Sequence, residues 1–163
     1  MRPTKIIFLD FDGVLNSREY RSIRAPLDPK FGWSTPEHED WSLDRSAILR
    51  LNRVAEVPGV AVVVSSMWRL LRSRADLRGI LMRNGFTGRL IDKTPVSKTR
   101  GAEVREWLRL TSQAIQSFVI LDDDDDFAEF GLDRLVQTSK DLGLTDEHAD
   151  KAIELLSKRW GGL

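Results

Sequence analysis

Cysteine is absent from this 163-residue chain. Its absence excludes disulfides, thiolate metal sites and cysteine nucleophiles, and it fits a reducing compartment. Histidine is scarce: His38 and His148 stand far apart, so they make no metal-ligating pair. An excess of one charge is missing as well, because 25 basic residues balance 25 acidic ones. Net charge therefore neither favours nor excludes a polyanionic partner, and local clusters must decide. Long apolar runs are also lacking. Near the start, Ile6–Leu9 is cut by Asp10 and is too short for a secretory core. Nothing approaches the roughly 18–20 apolar residues of a membrane span. The expectation is a cytoplasmic protein without membrane contact. With 41% hydrophobic residues, residues 1–163 suit a single domain around one core.

What is present is an alternation of short apolar runs with longer amphipathic ones. Residues 5–10 read as a first strand. Residues 16–41 carry Pro26, Pro29 and Pro36 and little periodicity, which predicts an irregular flap. Ser42 is placed to cap a helix from about Leu43 to Glu56, with Ile48, Leu51, Val54 and Ala55 on one face. Val60–Val64 is a β-branched run of the kind buried on both faces of a parallel sheet. A helix is predicted over residues 68–83, then a short strand at 89–91 and a helix from Lys98 or Thr99 to Leu110. A strand over residues 117–121 runs into five aspartates, Asp122 to Asp126. A short strand at 133–137 and a helix capped by Thr145 complete the pattern. This order predicts an α/β fold, a Rossmann-like three-layer sandwich with a central, mostly parallel sheet and no large cap domain.

Three of these strands end in polar groups. Asp10 and Asp12 follow the first, Ser65 and Ser66 the second, and Asp122 with its neighbours the fourth. In a parallel sheet all carboxyl ends face one edge, where open α/β sheets bind ligands. Two carboxylates set one residue apart repel each other unless a cation or proton joins them. In extended chain, residues i and i+2 share a side, so Asp10 and Asp12 both reach one ligand. Gly13 then lets the chain turn away with no Cβ beside that ligand. Ser66, Trp68 and Arg69 follow Ser65 and line the same edge, although Trp68 serves equally well as core packing. The aspartate run reads either as a solvated acidic loop or, because Phe118–Leu121 precedes it, as the end of a core strand.

The ordered set Asp10-Phe11-Asp12-Gly13-Val14, a strand ending at Ser65, Lys98 or Arg100 at a helix start, and Ile120-Leu121-Asp122-Asp123 resembles the haloacid dehalogenase-like phosphohydrolase superfamily. More narrowly, Asp12–Asn16, Ser65–Arg69, Arg100–Glu103 and Val119–Asp124 resemble the small domains of that superfamily associated with RNA-repair proteins. The resemblance implies a Mg²⁺-dependent phosphohydrolase working through an aspartyl-phosphate. In that reading Asp10 is the nucleophile and a metal ligand. Asp12 is acid and base, and lends its backbone carbonyl to the metal. Asp122 is a further ligand, assisted by Asp123 or Asp126. Ser65 bonds a phosphoryl oxygen, and either Lys98 or Arg100 neutralises charge. Dehalogenating relatives lack an acid two residues after the nucleophile, so Asp12 favours phosphoryl transfer. The implied partner is a phosphorylated substrate at an open site, with nucleic-acid 3′-phosphate ends first. Arg18, Tyr20, Arg21, Arg24, Lys30, Phe31 and Trp33 of the flap suit phosphate and base contacts. The alternatives are a small-molecule or nucleotide phosphomonoesterase and a noncatalytic phosphate-end binding module.

Overall fold

The computed structural model describes residues 4–24, 43–130 and 133–162. Ser42 and the greater part of the expected flap, with Lys30, Phe31 and Trp33, lie outside the described residues. Five strands form one sheet: β1 (Thr4–Leu9), β2 (Val60–Val64), β3 (Leu90–Lys93), β4 (Ile115–Asp122) and β5 (Leu135–Gln137). All four pairings are parallel, in the order β3-β2-β1-β4-β5. The four longer helices are α1 (Arg45–Ala55), α2 (Arg74–Arg83), α3 (Arg100–Leu110) and α4 (Asp146–Ser157). The architecture is the expected Rossmann-like three-layer α/β fold. No described helix is long and apolar enough to cross a membrane.

Alternation along the strands builds two cores. Ile7 and Leu9 of β1 point to one face, with Val62 and Val64 of β2 and Val119 and Leu121 of β4. There they meet Ile48, Leu51 and Val54 of α1, Leu77 and Leu81 of α2, and Ala149, Ala152 and Leu156 of α4. Ile6, Phe8, Val63, Phe118 and Ile120 point to the other face and meet Val104, Trp107 and Leu108 of α3. Phe8 stands edge-on to Trp107 at 5.5 Å and to Phe118 at 5.7 Å, the arrangement favoured by the ring quadrupoles. Chain direction follows from the faces. From β1 the chain steps outward through α1 to β2 and through α2 to β3, then returns across the opposite face through α3 to β4. The strand order therefore reverses between β1 and β4, which opens a crevice at their carboxyl ends.

Two local predictions need correction. Asp44, rather than Ser42, caps α1, its side chain accepting from the Ser46 amide. The single helix expected over residues 68–83 is two pieces, a 3₁₀ turn at Met67–Leu70 and then α2. Ser73 starts α2 with a reciprocal capping box to Asp76, and that signal outweighs the apolar continuity through Leu70 and Leu71.

Candidate active site at the carboxyl edge of the sheet

β1 and β4 run side by side, with Leu9 opposite Leu121, so the residues that follow them meet in the crevice. The Asp10 amide donates to the Leu121 carbonyl at 3.0 Å, which extends the ladder one residue and fixes where the Asp10 side chain leaves the strand. Asp10 is 5% exposed and Asp122 is fully buried. One carboxylate oxygen each from Asp10, Asp122 and Asp123 lies within 4.8 Å of the others, close enough for the three to hold one metal ion.

Arg100 enters this cluster from the first residue of α3. Its Nη2 lies 3.1 Å from Asp10 Oδ2 and 2.5 Å from Asp122 Oδ2. It also donates to the Ser65 carbonyl at 3.3 Å, joining the ends of β1, β2 and β4. Lys98 is exposed before the helix begins. Thr99 caps α3 by accepting from the Ala102 amide, and the next residue is thereby turned toward the sheet edge. Of the two basic residues left open by the sequence, Arg100 is the one beside the carboxylates.

One cation does not satisfy this much buried negative charge. Burial pushes the Asp122 carboxyl up to about 8, repulsion from Asp10 adds to the shift, and Arg100 opposes it. Asp10 is also raised by burial, against Arg100, a hydrogen bond from Ser66 and one from the Phe11 amide. Burial works against the Arg100 charge, yet Asp10 and Asp122 hold its guanidinium above its ordinary value. Two buried side-chain atoms at the site have no hydrogen-bond partner, Ser65 Oγ and Arg100 Nε. Buried polar atoms ordinarily find partners, so orphans gathered in one crevice mark a place for a ligand. Three carboxylates and neighbouring oxygens, with no nitrogen or sulfur ligand, form a donor set that fits a hard divalent cation such as Mg²⁺.

Asp123 and Asp126 separate by position. Asp123 faces the cluster, and Lys140 Nζ is 3.7 Å from its Oδ2. Asp126 instead sits at the start of α3, its carbonyl accepting from the Gly101 amide at 2.9 Å and its carboxylate from the Arg100 amide at 3.3 Å. A carboxylate there favours the helix dipole and lies outside the three-carboxylate cluster. Asp124 and Asp125 are exposed.

Asp12 projects from the next turn and is exposed. Its Oδ1 accepts from Arg21 at 3.0 Å and its Oδ2 from the indole N–H of Trp68 at 2.9 Å. Gly13 follows at φ +74°, and a Cβ there would stand 2.5 Å from Asp123 Cγ. Thr138 Oγ1 donates to the Gly13 carbonyl at 2.7 Å and so ties this turn to the end of β5. Ser66 starts the 3₁₀ turn as its cap and bonds Asp10 through its hydroxyl.

Arg69 does not fit the expected role of substrate contact. Its side chain is 1% exposed and pairs with Glu103 at 2.6 Å. Its guanidinium donates to the carbonyls of Ser65, Ser66, Thr94 and Pro95. Every direction in which it could meet substrate is taken by the loops it ties together. Sequence reasoning missed Lys140. No local motif marks it, since it reaches Asp123 only because the chain folds back after β5.

An open parallel α/β sheet with paired aspartates after its first central strand, and a second aspartate group after the neighbouring strand, is the architecture of haloacid dehalogenase-like domains. Residues 6–149 match the family described as the HAD domain in Swiss Army Knife RNA repair proteins, and the chain belongs to that family. Comparisons with curated proteins and with solved structures give no match.

Proposed function

We propose that this domain is a Mg²⁺-dependent phosphohydrolase that works through an aspartyl-phosphate on Asp10 and acts on nucleic-acid 3′-phosphate ends in the cytoplasm. The observation that carries the reading is the juxtaposition at one crevice of Asp10, Asp122 and Asp123 with Arg100 and the unpartnered hydroxyl of Ser65. A phosphomonoester is a dianion, so a carboxylate nucleophile needs positive charge between itself and phosphorus. Arg100 supplies part of it. Mg²⁺ held by Asp10, Asp122 and Asp123, with the Asp12 carbonyl, would supply the rest and polarise the phosphoryl group.

The residues divide the work as follows. An Asp10 oxygen attacks phosphorus, the ester P–O bond breaks, and the leaving oxygen takes a proton from Asp12. A water then gives a proton to Asp12 while its oxygen attacks phosphorus. That step breaks the bond to Asp10 and releases inorganic phosphate. Ser65 Oγ and Arg100 hold the phosphoryl oxygens through both steps. The mention of RNA repair in the family description supports a polynucleotide end as substrate. So do the basic side chains Arg18 and Arg21 beside the edge.

The test is phosphate release from p-nitrophenyl phosphate and from 3′- and 5′-phosphorylated oligonucleotides, with Mg²⁺ or with EDTA. The expected result is Mg²⁺-dependent release with preference for the 3′-phosphate. Asp10→Asn should lower turnover about a thousand-fold or more with an unchanged circular dichroism spectrum. Release from small esters alone would make the protein a small-molecule phosphomonoesterase. Binding of the 3′-phosphorylated strand with no release from any ester would make it a phosphate-end binding module.

A further inference from the structure

Asp12 is exposed, and an exposed carboxylate rotates freely unless something fixes it. Its two contacts differ in kind. Arg21 reaches Oδ1 from a short turn, with both side chains more than half exposed. Such an exposed pair contributes little to stability and gives way readily. Trp68 reaches Oδ2 from a fixed place. Its ring lies 4.9 Å from the ring of Phe11, which is fully buried, and the Arg72 guanidinium lies 4.9 Å over the indole. Its backbone is set by the 3₁₀ turn that Ser66 caps at the end of β2. Phe11 itself stands in the chain between Asp10 and Asp12. The indole is thereby fixed against the very turn that carries both aspartates.

We infer that Trp68 is a positioning residue for Asp12: its indole N–H holds Oδ2 and leaves Oδ1 to face the leaving oxygen of the substrate. An indole N–H only donates, so Oδ2 stays an acceptor in this arrangement, and Arg21 is the contact displaced as Oδ1 turns to substrate. The inference rests on the reading of Asp12 as the group that protonates the leaving oxygen. It adds a residue from the turn after the second strand to the turn after the first. The exchange of Trp68 for Phe removes the N–H and keeps an aromatic ring on Phe11.

The experiment compares wild type and Trp68→Phe by kcat/KM on two esters, an alkyl phosphate and 2,4-dinitrophenyl phosphate. The alkoxide of the first needs a proton as it leaves, and the dinitrophenolate of the second does not. Trp68→Phe should lower kcat/KM about ten- to a hundred-fold on the alkyl ester and less than about two-fold on the dinitrophenyl ester. Equal losses on both, or no loss on either, would overturn the inference while leaving the phosphohydrolase reading intact. A wild type inactive on both esters would instead overturn that reading, and Trp68 as a positioning residue for catalysis with it. The contact has its own readout. The indole N–H resonance missing from Trp68→Phe identifies Trp68, and in Asp12→Ala it should shift and exchange faster with solvent; an unmoved resonance counts against the contact itself.

Discussion

At the scale of single residues, Gly13 joins backbone geometry to the carboxylate cluster. Its φ of +74° is a region that L-residues enter at a cost of about 1–2 kcal/mol. An added Cβ would also meet Cγ, Oδ2 and Cβ of Asp123 at 2.5 to 2.8 Å. Asp123 must then move away from Asp10 and Asp122. Gly13→Ala should therefore do two separable things. Thermal unfolding should show a loss of about 1–2 kcal/mol from the backbone. Calorimetric titration should show weaker Mg²⁺ binding, because one of three carboxylates is displaced. A variant that loses stability and keeps full metal affinity would show that Asp123 is not a ligand. The neighbouring contrast between Asp123 and Asp126 makes the same point about position. Three residues apart, one is drawn to the cluster and Lys140, the other to the start of α3.

At the scale of elements, the buried Arg69–Glu103 pair ties the loops after β2 and β3 to α3. Arg69 fixes the carbonyls of Ser65 and Pro95, while Glu103 sits one turn along the helix from Arg100. Removing one member leaves the other charge buried and unpaired, which costs about 3–5 kcal/mol. Glu103→Ala should lose that much in denaturant unfolding, and the surviving folded fraction should hold Arg100 and Ser65 less firmly, seen as a fall in kcat. A loss below about 1 kcal/mol would show that the pair is not what holds these loops. Arg69 also marks the boundary of what sequence discloses. Strands were legible because Val60–Val64 and Phe118–Leu121 are apolar without interruption, and the polar residues at their ends were legible because parallel strands share an edge. The direction of a guanidinium was not legible. Arg69 and Arg100 both stand near serines or helix starts in the chain, and only the packed loops turn one inward to carbonyls and the other toward carboxylates. The break before α2 was written in Ser73 and Asp76, a capping pair that local reading passes over when Leu70 and Leu71 continue the apolar pattern. Trp68 was legible at the edge because it follows Ser65, but its contact with Asp12, like Lys140 beside Asp123, was not, since the partners lie far apart in sequence and no spacing announces them.

At the scale of the whole molecule, the order β3-β2-β1-β4-β5 places the reversal of winding between β1 and β4, and the fold opens its crevice where the buried carboxylates of Asp10 and Asp122 stand. The scaffold is then stabilised by its two apolar cores and destabilised at this edge. The sign of the effect with pH follows from the shifts. Burial pushes Asp122 up to about 8 and Asp10 is also raised, so between the ordinary carboxylate range and about pH 8 these two groups keep protons in the folded protein that they lose in the unfolded chain. Their contribution to stability falls as pH rises through that interval, because unfolding releases those protons. A bound divalent cation takes the place of those protons and reverses the penalty, more strongly the more fully the carboxylates are ionised. In EDTA, the midpoint of thermal unfolding should therefore drop from pH 5.5 to pH 8 by more in wild type than in Asp122→Asn, which lacks the titrating group. The comparison with the variant removes the contributions of other groups, including His148, whose imidazole burial pushes down. Adding Mg²⁺ should raise the wild-type midpoint more at pH 8 than at pH 5.5 and should raise that of Asp122→Asn little at either pH. Equal pH slopes in the two proteins would show that Asp122 is ionised throughout in the folded state. A Mg²⁺ effect of the same size in both would place the cation somewhere other than the reversal between β1 and β4.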